Sequence, residues 1–224
     1  MSADIVILPP RGRYLAQEVG QLAGVSGRTV GQWAHYGYIA ASQSAAGEYP
    51  RVYSFQDVAE AIIVHELLER KVPRQVLRPV ILGLREQYGN WPLQRSHLET
   101  LSAPQVPVAA LLVREGNMHL ELGDHGWQIV EHATVNPVQV AADLRRGGWA
   151  VRQLPGLRHI AVDPDLLSGR PAISGHRVPV SLVAELAVET NGIEILQEDY
   201  DLSREEIEDA VRWWTASTSY EQAA

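Results

Sequence analysis

Five polar or basic side chains near the start of the chain have types that suit hydrogen bonding to nucleic acid. Arg28, Thr29 and Gln32 fall on the outer side of a short helical pattern, and Ser26 stands just before it. Arginine and glutamine form hydrogen bonds with base edges in the major groove, and threonine bonds to bases or to phosphate. Arg51 comes later, at a position suited to a phosphate contact. These five residues form the predicted DNA-binding set.

Two short helices joined by a tight turn are predicted to position this set. Leu15, Val19 and Leu22 repeat on one helical face, and Gly24 then breaks the pattern. A serine suited to capping starts the second helix, and Gly37 ends it. The spacing therefore predicts a helix-turn-helix.

A small β-hairpin, or wing, is predicted over residues 38–53. This segment is rich in Ala, Ser and Gly, and its tip falls near Gly47 between two expected strands at 38–39 and 52–53. A hairpin in this position would bring Arg51 toward a DNA backbone.

Two longer helices and an irregular segment are predicted next. Ser54 with Asp57 resembles a capping box, so a helix should begin there. Pro73 opens the following helix and Gly89 ends it. Residues 90–106 contain several prolines and are predicted to be a linker.

From residue 107 the hydrophobic period changes to two, which predicts a β-meander. Its strands are expected at 108–114, 118–122 and 127–132, separated by short polar turns. A helix over 137–146 should follow, because an Asn-Pro pair precedes it and two glycines end it.

The remaining residues predict a small acidic domain. It should begin with short strands within 159–178 and continue with helices near 181–189, 192–198 and 203–216. Ser203 and Glu206 form a capping box at the start of the last helix.

The predicted fold class is therefore α+β and mainly helical. We expect a winged helix-turn-helix in residues 1–90 and a linker, small β-meander and helix in 91–150. A small helical domain, similar to a helix-turn-helix, is expected in 151–224.

Charge is distributed unevenly along the chain. The net charge is −8, and residues 151–224 account for −7 of it, with six basic against thirteen acidic side chains. Residues 1–90 carry nine basic and eight acidic side chains, a net charge of +1. DNA contacts are therefore expected in residues 1–90, whereas a basic partner would be attracted to the acidic residues 151–224.

Composition and motifs argue against several other classes of protein. The chain has no Cys, which excludes disulfides and thiol catalysis. No stretch approaches the roughly 20 apolar residues of a membrane helix, so we expect a cytoplasmic protein with no membrane partner. Phosphate-loop, dinucleotide and metal-ligand motifs are missing from the sequence. We therefore expect no enzyme activity, and no catalytic residue, cofactor or metal.

Residues 14–70 resemble the MerR-type winged helix-turn-helix. The matching pieces are short motifs at the turn, the second helix and the wing: VS at 25–26, RTV at 28–30, Trp33, Gly37 and RVY at 51–53. That family often has an arginine after its Thr-Val pair, where this chain has Gly31. The resemblance implies binding to operator DNA. A homodimer is expected, because one short recognition helix makes too few base contacts for specificity.

Residues 157–216 are similar to a small helical domain common in VapB-type antitoxins. The similarity is carried by the sequences SGRP at 168–171 and ISGHRVPV at 173–180. The combination of this domain with the MerR-like residues 14–70 resembles the antitoxin of a type II VapBC toxin–antitoxin pair. Such a protein would neutralise a PIN-like ribonuclease toxin and repress its own operon.

Three arginines are the predicted toxin-binding residues. They are Arg170, Arg177 and, near the end of the chain, Arg212. A structural alternative for the first two is an ion pair with a nearby carboxylate, Asp163 or Asp165.

Two other functions stay open at this point. A stand-alone MerR-like regulator would use its carboxy-terminal half to sense a small molecule, and the lack of Cys argues against thiolate metal sensing. A scaffold that only docks a protein partner is the third possibility.

Overall fold

The computed structural model describes residues 11–96, 98–101, 111–115, 117–123, 126–130, 135–137 and 157–222. Within these residues the fold is α+β, with helices at both ends and a small antiparallel sheet between them in sequence. None of the described helices is both long enough and apolar enough to cross a membrane.

Among the described residues, five α-helices precede the central sheet in sequence and three follow it. The first five are α1 (Ala16–Ala23), α2 (Gly27–Tyr36), α3 (Phe55–Glu69), α4 (Arg74–Tyr88) and α5 (Pro92–Arg95). The last three are α6 (Val180–Leu186), α7 (Gly192–Glu198) and α8 (Arg204–Gln222).

Local capping chemistry sets the ends of α1 and α2, as the sequence predicts. Gly24 adopts a left-handed conformation after α1, and Gly37 does so after α2. Ser26 Oγ accepts a hydrogen bond of 3.2 Å from the Thr29 backbone N–H, which fixes the start of α2. The prediction of two helices joined by a tight turn is confirmed.

The hairpin after α2 is shorter than predicted. Gln43 pairs with Val52, and the chain reverses at Gly47. The expectation of a strand at 38–39 is wrong, because these residues form a bend in which the Tyr38 backbone N–H donates a hydrogen bond of 2.9 Å back to the Trp33 carbonyl of α2. Tyr38 and Ile39 are buried in the core. Residues 43–52 are called the hairpin below.

The predicted linker over 90–106 is wrong in its described part, because it contains α5 and a strand. The buried Glu60 carboxylate accepts hydrogen bonds from the backbone N–H groups of Leu93 and Gln94, at 3.4 and 3.0 Å, near the start of α5. Burial raises the pKa of Glu60 to about 7, although these hydrogen bonds oppose the rise. The carboxylate thus satisfies backbone donors that the sequence pattern leaves unassigned.

The sheet has five strands in the order β4-β3-β2-β1-β5. They are β1 (Leu98–Leu101), β2 (Leu111–Glu115), β3 (Met118–Gly123), β4 (Gly126–Val130) and β5 (Val135–Pro137). Strands β2, β3 and β4 confirm the predicted meander. All four pairs of neighbouring strands in the sheet are antiparallel.

The predicted start of the helix over 137–146 is wrong. Asn136 and Pro137 belong to β5, where they pair with Thr100 and Glu99 of β1. The pairing partner lies more than 30 residues earlier in the chain, so local pattern did not indicate it. The rest of that predicted helix, from residue 138, lies outside the described residues.

The carboxy-terminal part begins with the short hairpin of β6 (Ile160–Ala161) and β7 (Ala172–Ile173) and continues with α6 to α8. The Ser203–Glu206 capping box is confirmed, since each side chain accepts a hydrogen bond from the other residue's backbone N–H. The helical spacing of Ile207, Ala210, Val211 and Trp214 predicts a buried stripe on α8, and the structure corrects part of it. Trp213 is buried at 4% exposure, whereas Val211 and Trp214 are only partly buried.

Contacts across a long sequence separation join the two ends of the chain. The buried Tyr14 hydroxyl donates a hydrogen bond of 2.8 Å to the carbonyl of Gly169. Arg170 Nε lies 3.2 Å from Glu18 Oε1, so the expected pairing of Arg170 with Asp163 or Asp165 is wrong. The carboxylate comes from α1 because α1 packs against α8.

Candidate functional site

The outer face of α2 carries the polar side chains that the sequence singles out. Arg28 and Gln32 are exposed, and His35 continues the same face one turn later. Val30 and Trp33 on the opposite face are buried, at 0% and 4% exposure. The helix is thus anchored on one side and offers hydrogen-bonding groups on the other.

Ser26 and Thr29 are placed differently from the rest of the predicted set. Ser26 is 5% exposed, and its hydroxyl lies 3.0 Å from the Thr29 hydroxyl. Thr29 is partly buried. In the free protein these two side chains hold the amino-terminal turn of α2, so they position Arg28 rather than extend outward beside it.

Two arginines of α4 hold the opposite end of α2. Arg78 Nε donates a hydrogen bond of 2.9 Å to the Tyr36 carbonyl. Arg85 Nη1 donates one of 3.3 Å to the Gly37 carbonyl. Cations at a helix carboxyl end satisfy its last carbonyls and suit its dipole. Sequence reasoning missed both residues, because more than 40 positions separate each arginine from its partner.

Close packing of α1 against the start of α2 requires two glycines that sequence reasoning did not single out. A Cβ on Gly20 would lie 2.5 Å from the Val25 carbonyl oxygen. A Cβ on Gly27 would lie 2.9 Å from Gln17 backbone atoms. Only hydrogen atoms fit at these points, so the two glycines set the crossing of the helices.

Arg51 lies in the last part of the hairpin and is partly buried. Burial raises the pKa of the Tyr53 hydroxyl, and the neighbouring Arg51 guanidinium opposes this rise. Arg51 therefore lies close to Tyr53, whose backbone pairs with Tyr14 next to α1. The hairpin thus places a cation on the same amino-terminal unit as α2.

Gly31 lies on the outer part of α2, and a Cβ built there meets no atom within 4 Å. We predict that Gly31→Ala stabilises the protein by about 0.5–1 kcal/mol, because alanine reduces the backbone entropy of the unfolded chain and favours the helix. Urea unfolding followed by tryptophan fluorescence measures this change. Gly20→Ala is the matched control in α1 and should destabilise. A loss of stability in Gly31→Ala would show that other atoms of the protein pack against this face of α2 and clash with the added methyl group.

The three predicted toxin-binding arginines do not form one cluster. Arg170 lines a cavity of about 220 Å³ with Tyr14 and Trp213, beside its partner carboxylate on α1. Arg177 is exposed between β7 and α6. Arg212 is exposed on α8 and lines a separate groove. The tertiary structure therefore distributes these residues over different surfaces.

Comparisons with known proteins agree with this architecture. Residues 160–213 match the family described as "Protein of unknown function (DUF433)". The crystal structure of Rv2018 from Mycobacterium tuberculosis is similar, with a TM-score of 0.53 and 19% sequence identity. The alignment covers 88% of this chain and 96% of that chain. At this identity the likeness shows a shared fold alone. A comparison with curated protein sequences gives no significant match.

Proposed function

We propose that this chain binds operator DNA through α2 and the hairpin, in the manner of a MerR-type winged helix-turn-helix. The observation that carries the proposal is the outer face of α2. It exposes Arg28, Gln32 and His35, while side chains of the same chain hold both helix ends. A rigid helix with exposed donors and acceptors is what major-groove recognition requires.

A homodimer is part of this proposal. A helix of ten residues contacts only a few base pairs, which is too little for discrimination among genomic sites. Two copies on a palindromic operator double the number of contacts.

The second part of the proposal is that the carboxy-terminal unit binds and neutralises a PIN-like ribonuclease toxin, with the DNA-binding part repressing the operon. Support comes from the resemblance of residues 157–216 to a small helical domain common in VapB-type antitoxins, carried by the sequences SGRP at 168–171 and ISGHRVPV at 173–180. The net charge of −7 in residues 151–224 favours association with a basic protein over a polyanion. This assignment gives the two ends of the chain different partners.

Substitutions in α2 and the hairpin test DNA binding. Arg28→Ala should weaken binding to the upstream promoter by about 1–3 kcal/mol and reduce discrimination against unrelated DNA, because a base contact is lost. Arg51→Ala should weaken binding to all sequences alike and lower the salt dependence, because a phosphate contact is lost. Fluorescence anisotropy over a salt series measures both effects.

Arg204→Ala, which removes an exposed arginine from α8, is the matched control and should leave DNA affinity unchanged. Wild-type affinity and salt dependence in both Arg28→Ala and Arg51→Ala would refute DNA binding through this surface.

A further inference from the structure

A cavity of about 220 Å³ lies between the amino-terminal and carboxy-terminal parts of the chain. Tyr14 and helix α1 line one side of it, and α6, α8 and residues 170–171 line the other. We call it the junction cavity, because its walls come from both ends of the chain. A molecule bound here would contact both ends at once.

Three aromatic side chains line the junction cavity. They are Tyr14, Trp213 and Trp214, and the first two are buried at 1% and 4% exposure. Leu22 and Val180, each 1% exposed, add to its apolar surface. Aromatic side chains favour a planar ring, by stacking or by edge-to-face contact. A cavity of roughly 150 Å³ holds benzene, so this one suits a bicyclic ring of about nine or ten heavy atoms.

The side-chain amide of Gln21 supplies hydrogen-bonding groups to the junction cavity. Gln21 is 9% exposed and lines the cavity, and its amide forms no hydrogen bond with any of the described residues. An amide presents a donor beside an acceptor. It can therefore form two hydrogen bonds with a ligand edge that carries an acceptor beside a donor, as glutamine does with the amino group and ring nitrogen of adenine.

The charges in the lining favour a neutral ligand. Glu18 and Arg170 are the two charged lining residues, and they pair with each other at 3.2 Å. Glu18 also accepts a hydrogen bond of 2.8 Å from the Leu15 backbone N–H. A charged ligand would lose hydration without meeting an uncompensated opposite charge, whereas a neutral ring leaves this ion pair intact.

We propose that the junction cavity binds a neutral, planar, bicyclic heteroaromatic molecule that carries a hydrogen-bond donor beside an acceptor, as adenine does. Gln21 bonds to that edge, and the aromatic side chains contact the ring. The bound molecule adds contacts between α1 and α8. The inference depends neither on the proposed DNA binding nor on the proposed toxin binding.

Isothermal titration calorimetry of the full chain with adenine and with quinoline tests the proposal. Both probes are neutral planar bicyclic rings of similar size, but quinoline has one ring acceptor and no donor beside it. Adenine should bind to wild type about tenfold more tightly than quinoline, because it forms the additional hydrogen bond. Gln21→Leu keeps a similar side-chain volume and removes the amide. It should weaken adenine binding about tenfold and change quinoline binding by less than about threefold.

Two further variants control for folding and location. Gln75→Leu makes the same change at an exposed position of α4 outside the cavity lining, and its adenine affinity should equal that of wild type. Ser181→Phe places a ring in the cavity from a partly buried position of α6 and should abolish binding of both probes. Unchanged adenine binding in Gln21→Leu or in Ser181→Phe overturns the proposal. So does a wild type that binds adenine no more tightly than quinoline, or that binds neither probe at millimolar concentration.

Adenosine distinguishes two sources of the same base edge, because it adds a ribose to adenine. Binding at least as tight as that of adenine identifies a nucleoside, and weaker binding identifies the free base. Hydrogen exchange then locates the site. Saturating adenine should slow exchange in α1 and α8 of wild type, since the ligand contacts both. Exchange that stays unchanged in these two helices would place the bound adenine elsewhere and overturn the assignment to the junction cavity.

Discussion

Gly169→Ala should destabilise the protein by about 4 kcal/mol, one of the largest effects expected of a single methyl group in this chain. The residue has φ +89°, which costs an L-amino acid about 1–2 kcal/mol. Its added Cβ would also overlap the hydroxyl end of the Tyr14 ring, which is 1% exposed and is held by its hydrogen bond to the Gly169 carbonyl. Urea unfolding measures the loss.

The structural consequence of Gly169→Ala is a weaker contact between Tyr14, next to α1, and the carboxy-terminal part of the chain. Burial, with the carboxylates of Glu18 and Asp163, raises the pKa of Tyr14, so its hydroxyl stays protonated and donates to the Gly169 carbonyl. Displacement of the ring breaks this bond next to α1. Hydrogen exchange in α1 should therefore become faster in Gly169→Ala.

Gly175→Ala is the control for backbone conformation alone. Gly175 has φ +81°, but a Cβ there meets no atom within 4 Å. We expect a loss of only about 1–2 kcal/mol, with unchanged exchange in α1. If both alanine variants lose the same free energy of unfolding, the Tyr14 contact contributes nothing measurable.

Asp57→Ala should destabilise the protein by about 3–5 kcal/mol. The carboxylate is 1% exposed and accepts hydrogen bonds from three residues. Ser42 donates through its backbone N–H and its hydroxyl, at 2.9 and 2.6 Å, the Ser54 N–H donates at 2.7 Å, and Trp91 Nε1 donates at 2.7 Å. Alanine leaves these donors without their acceptor, which is most costly for the buried Ser54 N–H and the partly buried Trp91 Nε1.

Ser54→Ala separates the cap from the rest of this network. It removes one hydrogen bond to the Asp57 backbone N–H and should cost about 1 kcal/mol. Thermal and urea unfolding of both variants give the comparison. A loss in Asp57→Ala no greater than that in Ser54→Ala would mean that Asp57 acts as a helix cap only. Since Ser42 lies at the base of the hairpin, Asp57→Ala should also weaken the proposed DNA binding through Arg51.

The sequence by itself determined the elements whose signals are local. Ser26, Gly37 and the Ser54–Asp57 pair mark helix ends because a cap joins residues only about three positions apart. The alternation of apolar residues predicts β2 to β4 because their partners are joined by short turns. The polar face of α2 follows from helical spacing in the same way.

Only the tertiary structure decided the contacts between residues far apart in sequence. Tyr14 and Gly169 are 155 positions apart, and Glu18 and Arg170 are 152 apart. The Asp57 carboxylate accepts a hydrogen bond from Trp91 Nε1, and Asn136 pairs with Thr100 of β1. An arginine forms an ion pair with any carboxylate that the packing of the helices places beside it. Arg170 therefore pairs with Glu18 and not with the aspartates that are closer in sequence. Such pairings depend on how the elements pack, because neither spacing nor residue type specifies a unique partner at that distance.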